Sequence, residues 1–224
     1  MKQNIYTIPL TEALREGECP FCYLLERTER DLIRLYLEGG LMEPDWRGRL
    51  LEFGLCGDHL KKMYHQSHRL GTAILVQSLL DQAGRHISGL QQQRKHPVLA
   101  GPSCLACSDL AAAFRHYADG FLTTLLREAE FRERAKRSGL CLWHLTEILH
   151  FIGSQRRFAK KGLEQQLAQA SWERLQEVQR DLAWFIRKFD YRFTDEPWHG
   201  AEDALERSLR LLCGIHGDVG GDKA

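Results

Sequence analysis

One ligand pattern, written twice, constrains this chain more than any other feature. Cys19-Pro20-Phe21-Cys22 is followed by Cys56-Gly57-Asp58-His59, and Cys104-Leu105-Ala106-Cys107 by Cys141-Leu142-Trp143-His144. Each copy reads C-x2-C-x33-C-x2-H, and all four positions recur at an offset of 85 residues without a gap. Chance does not place three thiols and an imidazole twice in register. Any fold must bring these groups together, and the spacing predicts two metal ions or clusters.

The repetition extends beyond the ligands. Leu25 matches Leu110, Arg30 matches Arg115, Leu37 matches Leu122, and Arg47 and Arg49 match Arg132 and Arg134. Gly54-Leu55 matches Gly139-Leu140, Leu60 matches Leu145, and His65 matches His150. Such self-similarity indicates duplication. Leu, Ala, Arg, Gln and Glu dominate, and no alternating strand run is present, so the predicted fold is all-α. It consists of two tandem, pseudo-symmetric helical repeats around one shared core. The expected divisions are 1–97, 98–192 and 193–224, each repeat carrying its own metal site and the last segment a short helix and tail. Pro97, Gly101 and Pro102 mark the joint, and Pro197 follows a second break. Trp172, Leu175, Val178, Leu182, Phe185 and Phe189 trace one apolar face of a long helix over 154–189, with 72–95 as its counterpart. A further amphipathic helix is expected over 201–212.

Three cysteines and one histidine form a tetrahedral Cys3His set. The 33-residue spacer suits a helical hairpin, out along 22–38 and back along 45–53. Gly54 and Gly139 stand where that hairpin must end. The predicted ligands are therefore Cys19, Cys22, Cys56 and His59 for one site, and Cys104, Cys107, Cys141 and His144 for the other. The spacing also permits a cross-repeat arrangement in which Cys19 and Cys22 join Cys141 and His144. Two zinc ions are the preferred cofactors, with two iron–sulfur clusters as the alternative. Plain buried thiols, or disulfides within each C-x2-C pair, are the bland readings, and the latter leaves Cys56, Cys141 and both histidines unexplained.

The remaining candidates are weaker. Glu147-Ile148-Leu149-His150 matches E-x-x-H, but Lys62 stands at the equivalent of Glu147, so a di-iron site is not expected. His65 and His150 read as packed structural histidines. Cys213-Gly214-Ile215-His216 lacks a partner pair and reads as a helix end. The basic runs 132–137 and 156–161 read as solvated helix faces. A formal net charge of +1 argues against broad nucleic-acid binding. No apolar run has membrane-spanning length, and Met1–Tyr6 lacks a leader-like stretch, which makes the cytoplasm the expected compartment. With no phosphate loop, nucleophile elbow or catalytic triad, the sequence favours a non-enzyme with a protein partner.

The paired motifs resemble a prokaryotic family of mostly helical proteins without an assigned function. Cys19-Pro20-Phe21-Cys22-Tyr23-Leu24 looks like that family's C-P-x-C-x-L, and both G-x-C-x-x-H stretches look like its second half. Phe185–Phe193 is similar to its C-terminal region, so the resemblance spans roughly residues 10–213. The departure is Leu105, where a second proline is expected, and a looser turn would follow. Some relatives carry a substrate-binding transporter label. This sequence has no two-lobed α/β pattern to match it.

Overall fold

The computed structural model describes residues 7–15, 19–40, 43–66, 68–92, 104–159 and 162–214. The described residues form helices and no strands. In chain order these are α1 (Thr7–Ala13), α2 (Pro20–Leu35), a π-turn (Tyr36–Gly40), α3 (Pro44–Phe53), α4 (Gly57–Tyr64) and α5 (Arg69–Gln92). Then follow α6 (Leu105–Arg127), α7 (Ala129–Ser138), α8 (Leu142–Ser154), α9 (Leu163–Arg187), a 3-10 turn (Tyr191–Phe193) and α10 (Ala204–Cys213). The hairpin predicted across the first spacer is α2 and α3. The proposed joint around 97–103 lies outside the described residues.

Local sequence explains the breaks. Gly54 ends α3 at φ 69° and Gly139 ends α7 at φ 75°. This left-handed region penalises any residue with a Cβ. Each glycine N–H closes its helix, onto Leu50 O and Ala135 O respectively. Two residues later Cys56 and Cys141 sit in extended conformation as the N-caps of α4 and α8. A sharp turn thus delivers each third cysteine to a fresh helix start.

The chain folds as two compact units that do not coincide with the sequence repeats. The first comprises Met1–Glu26 and Phe114–Ala224, the second Arg27–Ala113. The boundaries fall inside α2 and inside α6. Each unit has its own apolar cluster, where the duplication had suggested one shared core. Leu10, Phe21, Phe121, Leu122, Ile148 and Ile152 are at most 1% exposed in the first unit, where the Phe121 ring meets Phe21 edge-on at 5.2 Å and Phe131 at 5.7 Å. Tyr36, Leu50, Met63, Leu75 and Ala106 are fully buried in the second. Fully burying a side chain of Leu or Phe size contributes about 1.5–3 kcal/mol. The buried Tyr36 hydroxyl is satisfied by donating to Asp109 Oδ2 at 2.7 Å.

The face of α9 differs from expectation. Leu163, Leu167, Ser171 and Val178 are buried, whereas Trp172 is 53% and Phe189 77% exposed. Beyond α9, Lys188 is 8% exposed, and its ammonium donates to the carbonyls of Phe193, Thr194 and Glu196. Three acceptors compensate burial of the charge and tie down the turn that follows.

Candidate metal centres

The eight motif residues converge in two groups, each inside one unit. Cys19, Cys22, Cys141 and His144 form the first, and Cys56, His59, Cys104 and Cys107 the second, with the four ligand atoms of each within 4.8 Å of one another. The within-repeat pairing is therefore corrected. Each C-x2-C, at the start of α2 or α6, meets the C-x2-H of the other repeat. The reason is topological: the units divide α2 and α6 so that each cysteine-bearing end belongs with the opposite repeat's α8 or α4.

In the first centre His144 Nδ1 lies 3.0 Å from Cys22 Sγ, 3.2 Å from Cys141 Sγ and 3.6 Å from Cys19 Sγ. In the second, His59 Nδ1 lies 3.1 Å from Cys56 Sγ, 3.3 Å from Cys104 Sγ and 3.6 Å from Cys107 Sγ. Backbone amides support the sulfurs: His144 N–H donates to Cys141 Sγ and Cys107 N–H to Cys104 Sγ. All seven cysteines are free in the structure, with no disulfide within either C-x2-C pair.

The thiols cannot all ionise against one another. Burial and the Cys141 sulfur push Cys19 up to about 12, and contacts with Cys141 and Cys19 raise Cys22, while Cys141 is held far below the usual thiol range by Cys19, Cys22 and His144. At the second centre, burial and Cys104 push Cys107 up to about 12. Burial also opposes ionisation of Cys56, but hydrogen bonds from His59 outweigh it and bring Cys56 down to about 6. In each group one thiolate forms at its neighbours' cost. A divalent cation among the sulfurs removes that conflict, and soft thiolates with one imidazole suit such an ion. The donor sets fit a metal.

The surroundings of the two histidines differ. His59 Nε2 lies 3.0 Å from Glu29 Oε1, and Lys62 Nζ reaches the same carboxylate at 2.6 and 2.7 Å. Glu29 raises His59 to about 9, and the Glu29 carboxyl is lowered to about 2, chiefly by His59. The residue 85 positions on is Phe114, which stacks on His144 at 5.9 Å, while Phe21 packs nearby at 5.7 Å. Equivalent positions thus hold one histidine by a carboxylate and the other by aromatic faces. Sequence reasoning missed Glu29 and Phe114. A signal existed, since each lies seven residues beyond the second cysteine of its motif, two helical turns along the same face.

Leu105, where the resemblance expects a proline, uses the backbone N–H that a proline lacks. Its N–H donates to Gly54 O at 3.0 Å, a bond that Pro20, without an N–H, cannot make at the equivalent position. His65 and His150 are exposed, where buried structural histidines were expected, and His65 meets the Tyr64 ring edge-on at 5.5 Å. Cys213 ends α10 beside Gly214 in left-handed conformation, and His216 lies outside the described residues. Within the basic runs, Arg134 pairs with Glu130, Lys136 with Glu133, and Arg157 with Asp119. Lys160 and Lys161 lie outside the described residues.

Fold and centres together define an all-helical protein of two tandem repeats with two Cys3His groups that can hold metal. A family of unknown function, DUF6062, matches the chain twice, over residues 1–102 and 99–218, and the chain belongs to it. No curated protein and no solved structure matches. Among the described residues, no helix is long and apolar enough to cross a membrane.

Proposed function

We propose that this is a cytoplasmic zinc protein in which two metal ions staple a helical scaffold that presents a protein-interaction surface. The observation that carries the zinc reading is the compactness of each ligand group. Around one tetrahedral zinc, with Zn–S about 2.3 Å and Zn–N about 2.0 Å, ligand atoms stand roughly 3.5–3.8 Å apart. The Cys22–Cys141 and Cys56–Cys107 sulfurs are 3.5 and 4.0 Å apart, matching one ion. An iron–sulfur cluster places its terminal ligands on different iron atoms around a larger body. Four donors confined within 4.8 Å do not suit it.

Three thiolates and one imidazole fill a tetrahedron and leave no open position, the arrangement of a structural site. Stapling across the repeats adds to its effect. Joining Cys22 to Cys141 spans 119 residues, against 34 from Cys22 to Cys56 in the same repeat. By loop-closure scaling the longer span restrains the unfolded chain by about 1 kcal/mol more. For the interaction surface, support comes from α5, whose Val76, Leu80 and Ile87 stand 37%, 67% and 54% exposed along the helix. Apolar rows of this kind are taken by partner helices.

The test is elemental analysis of untagged protein purified without oxygen, with its visible spectrum. Two zinc ions per chain and no colour are expected. Iron and sulfide with broad visible absorption would overturn the zinc reading in favour of an electron-transfer or cluster-sensing protein.

A further inference from the structure

The two centres share a donor set but not an accessibility. In the first, Cys19, Cys22, Cys141 and His144 are 9%, 1%, 2% and 7% exposed. In the second, His59 and Cys104 are buried, but Cys56 is half-buried and Cys107 exposed. Those two accessible sulfurs are also the pair 4.0 Å apart. The second centre therefore has two anchored ligands and an edge of two thiolates facing solvent.

We propose, building on the zinc reading, that the Cys56–His59–Cys104–Cys107 centre is the exchangeable one. Zinc enters and leaves there by attack of a thiol-bearing donor on the Cys56–Cys107 edge, while the Cys19–Cys22–Cys141–His144 centre keeps its ion.

Zinc exchanges ligands by substitution, without redox change. The incoming thiolate donates an electron pair to zinc as the bond to Cys107 breaks. Cys107 would leave with the bonding pair as a thiolate and take up, through solvent, the proton that the incoming thiol gave up. A second substitution at Cys56 leaves the ion held by Cys104 and His59, ready for transfer. Each step needs a donor to reach the metal from the side of the departing sulfur, and only exposed ligands offer that side. Glu29 and Lys62 hold the His59 end in place while the thiolate edge opens.

At the buried centre, Phe21 and Phe114 pack against His144. A cavity of about 210 Å³ reaches Cys19 and Cys141 and is lined by Arg174, Arg207 and Arg210. These arginines are engaged with Glu177, with Asp181 and Asp203, and with Glu206. They carry no spare charge to draw in an anionic thiolate, and the two sulfurs are nearly sealed. Release from this centre has to wait for local opening of the unit.

The experiment uses the full-length zinc-loaded protein. Its zinc content is measured first, and it is then mixed with pyridylazoresorcinol, with and without reduced glutathione. Two release phases of one zinc each are expected, separated in rate on the order of tenfold or more, because only one phase requires opening. Glutathione should speed the fast phase alone. Iodoacetamide added after the first equivalent has left, with the sites mapped by mass spectrometry, should label Cys56, Cys104 and Cys107 and spare Cys19, Cys22 and Cys141. Release of both ions in one phase, or early labelling of Cys19, Cys22 or Cys141, overturns the proposal. A protein that holds no zinc after loading overturns the zinc reading itself, and that failure is visible before any exchange is measured.

Discussion

Replacing Glu29 with Gln should weaken one metal centre and leave the other untouched. Glu29 belongs to neither ligand motif, yet its carboxylate lies 3.0 Å from His59 Nε2, while Nδ1 of the same ring points at the three sulfurs. With a metal on Nδ1, the ring proton resides on Nε2, the nitrogen 3.0 Å from Glu29 Oε1. A carboxylate in that place makes the imidazole a stronger donor, and losing such a partner typically costs 10–100-fold in metal affinity, about 1.4–2.7 kcal/mol. Glutamine keeps the shape and an acceptor oxygen but not the charge. Lys62 already shares that charge at 2.6 Å, which places the expected loss nearer about tenfold. The assay is a zinc competition titration against a chelator of known affinity, resolved into two binding steps for wild type and Glu29→Gln. One step should weaken while the other overlays wild type, and alkylation after partial stripping should place the change at Cys56, Cys104 and Cys107. Unchanged affinities, or weakening at the His144 centre, would refute the coupling through Glu29.

Two further outcomes follow from the pairing. Cys22→Ser should accelerate amide hydrogen exchange in α8, far along the chain in the other repeat, and leave α4 near wild type. Loss of protection in α4 instead would restore the within-repeat assignment. In the metal-free protein at neutral pH, Cys19, at about 12, and Cys22, also raised, hold their protons while Cys141 is ionised. Zinc must displace those two protons at the buried centre, so its affinity there should fall as pH is lowered. Calorimetry in buffers of different ionisation enthalpy measures the count, and zero protons released would contradict the assigned thiol states.

The sequence made the ligands legible because their chemistry is rare and their spacing repeats. It made the helical hairpin legible through Gly54 and Gly139, whose left-handed conformations are needed before each third cysteine. It could not decide the pairing. A constant offset of 85 makes the two C-x2-C halves interchangeable partners for either C-x2-H, so spacing satisfies both arrangements equally. The difference between Glu29 and Phe114 was hidden for a related reason, since matching the repeats draws the eye to identities, and here the informative position is a mismatch. The buried face of α9 was misread because periodicity weighs the bulk of Trp172 above the small Ser171. At a tight contact a small hydroxyl-bearing residue can be buried where an indole does not fit.

The exchange of half-motifs between repeats sets an order on biosynthesis. As the chain leaves the ribosome, the first complete Cys3His set to emerge is Cys19, Cys22, Cys56 and His59, which is not a set the finished protein uses. An ion captured there would hold the nascent chain in the wrong connectivity until Cys104 and Cys107 arrive to claim Cys56 and His59. Cys19 and Cys22 then wait for Cys141 and His144. Early metal would be a hazard for this chain and late metal its remedy, a timing problem that a single copy of the motif never meets.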